Sequence, residues 1–117
     1  MLSRSLDKLV KDFSKNKQPT TALTLIAIAS LARQKKEEFT LKEVFNEIEN
    51  ILSKLKKKPH FIEDIKIIAM APTLGRLCDM GVLEKVSDNP AIYKPLVDLD
   101  TLYRYAGELL LILLERL

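Results

Sequence analysis

Residues 74–85 read Leu-Gly-Arg-Leu-Cys-Asp-Met-Gly-Val-Leu-Glu-Lys, and this stretch decides the fold. Leu74 and Leu77 have the spacing of a helix that buries one face, and Gly81 can adopt the left-handed conformation that ends a helix. The chain then alternates as a strand, and a dense turn signal, Ser-Asp-Asn-Pro, leads to a second strand over 91–96. The stretch therefore predicts a helix that leads directly into a two-stranded hairpin.

Two helices are predicted near the start of the chain. Leucine and valine residues recur at spacings of three and four over 4–15, which predicts an amphipathic N-terminal helix within residues 1–16. The segment from Thr20 to Gln34 is apolar on most sides, as expected for a central helix that is packed all round. Because Thr20 follows a proline, we expect it to cap this second helix.

A third helix is predicted from a capping box. A brief strand is predicted over 37–39. Thr40-Leu-Lys-Glu, which follows, has the S/T-x-x-E pattern, and apolar residues keep helical spacing from Leu41 to about Lys56. Downstream, Pro72 disfavours continuous helix. Either one kinked helix covers 62–80, or a turn near 70–72 starts a new helix with Pro72 at its first position, which is the interpretation we favour.

A C-terminal helix within 99–117 carries a wide apolar stripe and can be capped by Asp98 or Asp100. Its leucine run exposes more apolar surface than one side of a small domain can cover, although packing against the N-terminal helix is an alternative. We therefore expect a homodimer formed through these residues: Leu102, Tyr103, Ala106, Leu109, Leu110, Leu113, Leu114 and Leu117.

From residue 20 to residue 97 the predicted order is helix, short strand, two helices and hairpin, which resembles the winged helix-turn-helix family. The string Leu-x-x-Leu-x-x-x-Gly-Val-Leu of residues 74–83 is similar to the family pattern that ends the recognition helix and enters the wing. Within the family, the chain loosely resembles the winged-helix domain of archaeal replication initiators, but it contains no nucleotide-binding G-x-x-x-x-G-K-[ST] motif. The implied fold class is mainly α (α+β), a single domain over 1–117 whose winged-helix core has extra N- and C-terminal helices.

The resemblance implies binding of double-stranded DNA by a transcriptional or chromosome-associated factor. The expected contacts come from the recognition helix, from the basic segment before it and from the wing: Thr73, Arg76, Lys56, Lys57, Lys58, His60, Lys66, Lys85 and Lys94. Lysines at the end of a helix also complement its dipole, so the basic segment can instead be a solvated helix end. The segment 61–96 has a net charge of −1, so a winged helix that binds a protein partner is the alternative function.

Composition bounds the remaining possibilities. The chain has 117 residues and a formal net charge of +3, with +6 over residues 1–60 and −3 over residues 61–117. One cysteine, Cys78, and one histidine cannot supply a zinc site, and no reactive constellation is present, so we expect neither an enzyme nor a cofactor. The longest apolar run, residues 22–32, is too short to span a membrane, and residues 1–7 lack the apolar segment of an export signal. We therefore expect a cytoplasmic protein.

Overall fold

The structure is a computed structural model that describes residues 2–15, 17–55 and 69–115. These residues form five helices and three short strands. In chain order the elements are α1 (Leu2–Ser14), α2 (Pro19–Arg33), β1 (Phe39–Thr40), α3 (Leu41–Ser53), α4 (Met70–Asp79), β2 (Leu83–Asp88), β3 (Ala91–Pro95) and α5 (Leu99–Glu115). The protein is thus mainly helical with a small sheet, which confirms the α+β class.

α2 lies at the centre of the molecule. Every residue from Thr21 to Ala29 is buried, and the helix contacts α1, α3, α4 and α5. The prediction of a helix packed all round is confirmed, whereas the predicted cap is wrong. The helix begins one residue before Thr20, at Pro19, whose fixed φ suits the first helical position, and Gln18 takes the flanking left-handed conformation at φ 54°.

The capping box at the start of α3 is confirmed. The Glu43 backbone N–H donates to the Thr40 hydroxyl at 3.2 Å, and the Thr40 backbone N–H donates to the Glu43 carboxylate at 2.9 Å. Thr40 also ends β1, so the same residue closes a strand and opens a helix. α3 ends at Ser53, three residues before the predicted Lys56.

α4 begins at Met70, so Pro72 occupies the third helical position rather than the predicted first one. Proline is tolerated there because the first four backbone N–H groups of a helix have no partner within it. The alternative of one kinked helix over 62–80 falls partly outside the described residues. At the other end, Gly81 adopts φ +82°, while its N–H donates to the Cys78 carbonyl and the next N–H donates to the Leu77 carbonyl. This double turn confirms the predicted glycine stop.

The three strands form one antiparallel sheet in the order β1-β3-β2. Phe39 of β1 pairs with Tyr93 of β3, and Leu83 of β2 pairs with Pro95, with an irregularity between Lys85 and Ser87. The predicted hairpin is confirmed, and the brief strand predicted over 37–39 is the shorter β1, Phe39–Thr40, which pairs with β3 as the third strand of the sheet. The sheet therefore ties the segment before α3 to the hairpin after α4.

α5 packs against both α1 and α2. Asp98 caps it, since its carboxylate accepts the Thr101 backbone N–H at 3.1 Å and the Thr101 hydroxyl at 2.6 Å. Leu9 of α1 and Leu109 of α5 are both buried, and the Tyr105 hydroxyl donates a hydrogen bond to Asp7 of α1 at 2.8 Å. The N- and C-terminal helices thus form one packed unit with the core.

Candidate nucleic-acid and partner interfaces

α4 has one uncovered face, beside the β2–β3 hairpin. The side chains on its inner face are buried at helical spacing: Met70, Thr73, Leu74 and Leu77. The exposed side chains are Ala71, Pro72, Arg76 and Asp79. Since Ala71 and Pro72 are small and apolar, the first turn offers a close steric approach, and the hydrogen-bonding groups lie one turn later.

Thr73 does not belong to the uncovered face, although the sequence suggests it as a DNA contact. Only 7% of this residue is exposed, and its hydroxyl donates to the Ala69 carbonyl at 2.7 Å. A hydroxyl that bonds back to the carbonyl four residues earlier is already satisfied within its own helix. We therefore leave Thr73 out of the proposed interface.

Arg76 is the one basic residue of α4. Its side chain is exposed, and one guanidinium nitrogen approaches the Thr21 hydroxyl at 3.5 Å, the upper limit of a hydrogen bond. This contact orients the guanidinium near the start of α2 without neutralising it. Most of its donors remain available to an external acceptor.

The two hairpin lysines are both ion-paired. Lys85 lies 3.1 Å from Asp88 on the same strand, and Lys94 lies 3.6 Å from Glu84 across the hairpin. The hydrogen bond that Lys85 donates to the Asp88 carboxylate raises the pKa of Lys85, so this lysine stays charged near neutral pH. The pairs cancel charge locally, which makes the hairpin a weaker attractor of phosphate than two free lysines would be.

The other predicted DNA contacts lie in the segment between α3 and α4. Lys56, Lys57, Lys58, His60 and Lys66 lie outside the described residues. Of the predicted set, Arg76 lies on α4 beside the start of α2, whereas Lys85 and Lys94 project from opposite faces of the β2–β3 hairpin. Lys94 lies near Ala32 and Lys35, at the end of α2, so the structure does not gather these three residues at one site.

The predicted dimer residues of α5 divide into two groups. Four of them are buried inside the protomer, namely Leu102, Ala106, Leu109 and Leu113, so they contribute to the intramolecular core. Tyr103 is half-buried, Leu110 and Leu114 are exposed, and Leu117 lies outside the described residues. The sequence-based set missed Leu111, which is 63% exposed, and Gly107. The same apolar spacing shifted by one residue would have found Gly107.

An open groove of about 620 Å³ runs beside the exposed part of α5. It is mainly apolar, and α2, α3 and α5 provide its lining: Ile26, Ala29, Ser30, Arg33, Gln34, Ile51, Tyr103, Ala106, Gly107 and Leu110. Arg33 is exposed, and within the described part of the chain no ion pair is found for it. The groove therefore combines an apolar floor with one cationic group.

The polar wall of the groove is held by Glu47, which is only 8% exposed. Its carboxylate accepts hydrogen bonds from the Ser30 hydroxyl at 2.5 Å, the Gln34 amide at 2.7 Å and the Asn50 amide at 3.2 Å. Three donors thus satisfy this buried side chain. Because Ser30 and Gln34 already donate to Glu47, these two donor groups on the wall of the groove are engaged.

Cys78 does not have the surroundings of a catalytic thiol. Burial raises its pKa, and the nearby Asp79 acts in the same direction, so the thiol stays protonated at neutral pH. A reactive cysteine requires the opposite shift. Among the residues that the structure describes, no group of three or more His, Cys, Asp or Glu side chains could hold a metal ion.

No protein-family model matches the chain, and the searches found no significant similarity to a curated protein or to a solved structure. None of the helices within the described ranges is both long enough and apolar enough to cross a membrane.

Proposed function

We propose that the chain is a winged helix-turn-helix protein that binds double-stranded DNA as a transcriptional or chromosome-associated factor. The observation that carries the proposal is the uncovered face of α4, which presents small residues and Arg76 beside the β2–β3 hairpin. The order from α2 to β3 and the sheet order β1-β3-β2 support the winged-helix assignment. On this proposal α4 is the recognition helix, and the chain has no catalytic role.

In the proposed contact, different residues approach the bases and the phosphates. Ala71 and Pro72 let the first turn of α4 approach base edges or thymine methyl groups, because no bulky side chain intervenes. Arg76 donates to a guanine or to a phosphate one turn later. Lys85 exchanges its carboxylate partner for a phosphate at the edge of the site, and the lysines at 56–58 anchor the backbone. Lys94 projects from the opposite face of the hairpin and is left out of the proposed contact.

Fluorescence anisotropy with mixed-sequence duplexes at low and moderate salt tests this function. We expect binding at low salt and a steep loss of affinity as salt rises, because phosphate contacts release counter-ions. Replacing Lys56–Lys58 together by alanine should reduce the salt slope. An intact chain that binds no duplex at low salt would overturn the proposal.

Arg76→Ala tests the assignment of the binding face. We expect about tenfold weaker binding, which corresponds to the loss of one good arginine contact. Arg4→Ala is the matched control, because Arg4 is exposed on α1 and its loss changes the net charge equally. If the two variants bind DNA with equal affinity, α4 is not the recognition helix.

A winged helix that binds a protein is the second candidate function. It is favoured by the ion-paired hairpin lysines and by the exposed Val86 at the irregularity of β2. This function predicts a stoichiometric protein partner that slows amide hydrogen exchange over residues 69–76, while a DNA duplex has no effect there. Protection of these amides by DNA would exclude it.

A further inference from the structure

α5 carries two parallel apolar stripes with the same spacing. The inner stripe, Leu102, Ala106, Leu109 and Leu113, is buried within the protomer. The second stripe is shifted by one residue and consists of Tyr103, Gly107, Leu110 and Leu114; we call it the outer seam. Leu110 is 36% exposed and Leu114 47% exposed. Spacings of four, three and four residues are those with which two helices pack side by side.

Gly107 is the unusual member of the outer seam. Glycine inside a helix costs about 1 kcal/mol relative to alanine, and a Cβ at this position would meet nothing within 4 Å in the protomer. Packing within the protomer therefore gives no reason for glycine here. A second helix that approaches closely at this point would give one, because the missing side chain leaves a hole for a bulky residue.

The size of the uncovered surface argues for a helix and against a small ligand. The groove of about 620 Å³ is itself of ligand size, but the apolar surface extends past it to Leu111 and Leu114. A ligand in the groove would leave these two leucines in water. A helix of about 10 Å diameter covers both the groove and the outer seam.

We propose that the occupant is α5 of a second copy of this chain, packed antiparallel about a two-fold axis. In the antiparallel register centred between residues 108 and 109, Leu110 of each copy faces Gly107 of the other, and Tyr103 faces Leu114. Each copy thus supplies both the protruding residue and the hole, as a two-fold interface requires. α5 of the second copy also lies along the α2 and α3 side of the groove.

One pair of charges on α5, Arg104 and Glu115, favours the antiparallel arrangement of two copies. Arg104 and Glu115 are exposed, and the Arg104 guanidinium lies 5.2 Å from the Tyr105 ring centre. In the proposed register, Arg104 is within two residues, or about 3 Å along the axis, of Glu115 of the second copy. A parallel pair would instead place each charge beside its own counterpart.

Sedimentation velocity of the full chain and of a Leu114→Glu variant tests the dimer. We expect a species of twice the 13.3 kDa chain mass for the wild type at tens of micromolar. Because each dimer loses two leucine contacts, the variant should raise the dissociation constant about a hundredfold. Leu96→Glu is the matched control, since Leu96 is 54% exposed and lies outside α5. This variant should remain dimeric.

Charge reversal tests the orientation of the two helices. Arg104→Glu and Glu115→Arg each create like-charge neighbours in the antiparallel dimer, so each should weaken it by about fivefold or less. The double reversal should restore the wild-type dissociation constant. Circular dichroism of every variant checks that the helical content is unchanged.

Three results would overturn the proposal. These are a wild-type chain that remains monomeric, a Leu114→Glu variant that associates as strongly as the wild type, and a double reversal that fails to rescue its single variants. All of them are measured without DNA. Failure of the dimer is therefore distinguishable from failure of the proposed DNA binding.

Discussion

At the scale of single residues, Glu43 links the start of α3 to the preceding turn. Its carboxylate accepts the Thr40 backbone N–H and pairs with Lys36. The hydrogen bond with Lys36, followed by the backbone hydrogen bond at Thr40, lowers the pKa of Glu43 from its ordinary value of 4.5. This residue thus combines a helix cap with an ion pair to the segment before β1.

The lowered pKa of Glu43 predicts a specific pH dependence. The unfolded chain binds the Glu43 proton at a higher pH than the folded chain does, so acid favours unfolding. Its stabilising contribution is complete above about 4.5 and is lost as the pH falls through the lower folded pKa. We expect Glu43→Gln to lower the stability at neutral pH and to flatten its fall in acid.

Urea unfolding at several pH values measures this effect, with Glu38→Gln as the control. Glu38 is exposed and lies five residues earlier, outside the capping box. Its replacement should leave the acid-induced loss of stability close to that of the wild type. An unaltered pH profile in Glu43→Gln would show that the charged carboxylate of Glu43 and its ion pair with Lys36 do not stabilise the folded state.

At the scale of elements, the sequence predicted the ends of helices best where a particular residue type suits a particular backbone conformation. The Thr40–Glu43 capping box and the stop at Gly81 are both local, so their residues specify them directly. The predicted start of α2 was wrong. The preference of threonine for a helix cap suggested Thr20, but the helix begins with Pro19 at its first position. The sequence did not show that Thr73 is buried, because this depends on which face of α4 packs against the core, and α4 starts at Met70.

The candidate site was harder to predict because it depends on contacts between elements. The pair formed by Lys94 and Glu84 follows from the register of β2 and β3, which the sequence does not show. Likewise, a continuous leucine run cannot indicate which side of α5 faces α1 and α2. The structure resolves this by burying Leu109 and exposing Leu111.

Two glycines of the α4–β2 unit should respond to alanine with opposite signs. Gly81 adopts φ +82°, a conformation that L side chains rarely adopt, so Gly81→Ala should destabilise the protein by about 1 kcal/mol or more. Gly75 lies within α4, and an added Cβ there meets nothing within 4 Å. Gly75→Ala should therefore stabilise by about 1 kcal/mol.

Chemical unfolding of the two variants, extrapolated to water with a common m-value, measures both effects. The comparison is internally controlled, because each variant adds the same single methyl group. Equal effects of the two substitutions would be inconsistent with a left-handed glycine at the entry to the hairpin.

At the scale of the whole molecule, α2 connects the two proposed binding surfaces. It contacts α4 on one side and α5 on the other, and it supplies both Thr21 beside Arg76 and Ile26 in the groove. The net positive charge of residues 1–60 lies on the same half of the chain as α2. A dimer formed through the outer seam would carry this positive charge twice and would present two α4 helices to DNA. Because more phosphates would be contacted, DNA binding should depend more steeply on salt.

Gly107→Leu should change the stability of the protomer and that of the dimer in opposite directions. Leucine is a far better helix former than glycine, and in the protomer the added Cβ has free space. The isolated protomer should therefore gain up to about 1 kcal/mol. In the dimer, however, the new side chain occupies the hole that receives Leu110 of the second copy.

The unfolding midpoint, measured at two protein concentrations, distinguishes these two effects. For a dimer that unfolds to single chains, the midpoint rises with protein concentration. We expect this rise in the wild type and its loss in Gly107→Leu, whose midpoint should exceed that of the wild type only at low concentration. If the variant keeps the wild-type concentration dependence, then residue 107 lies outside the dimer interface, and the absence of a side chain there has no role in self-association.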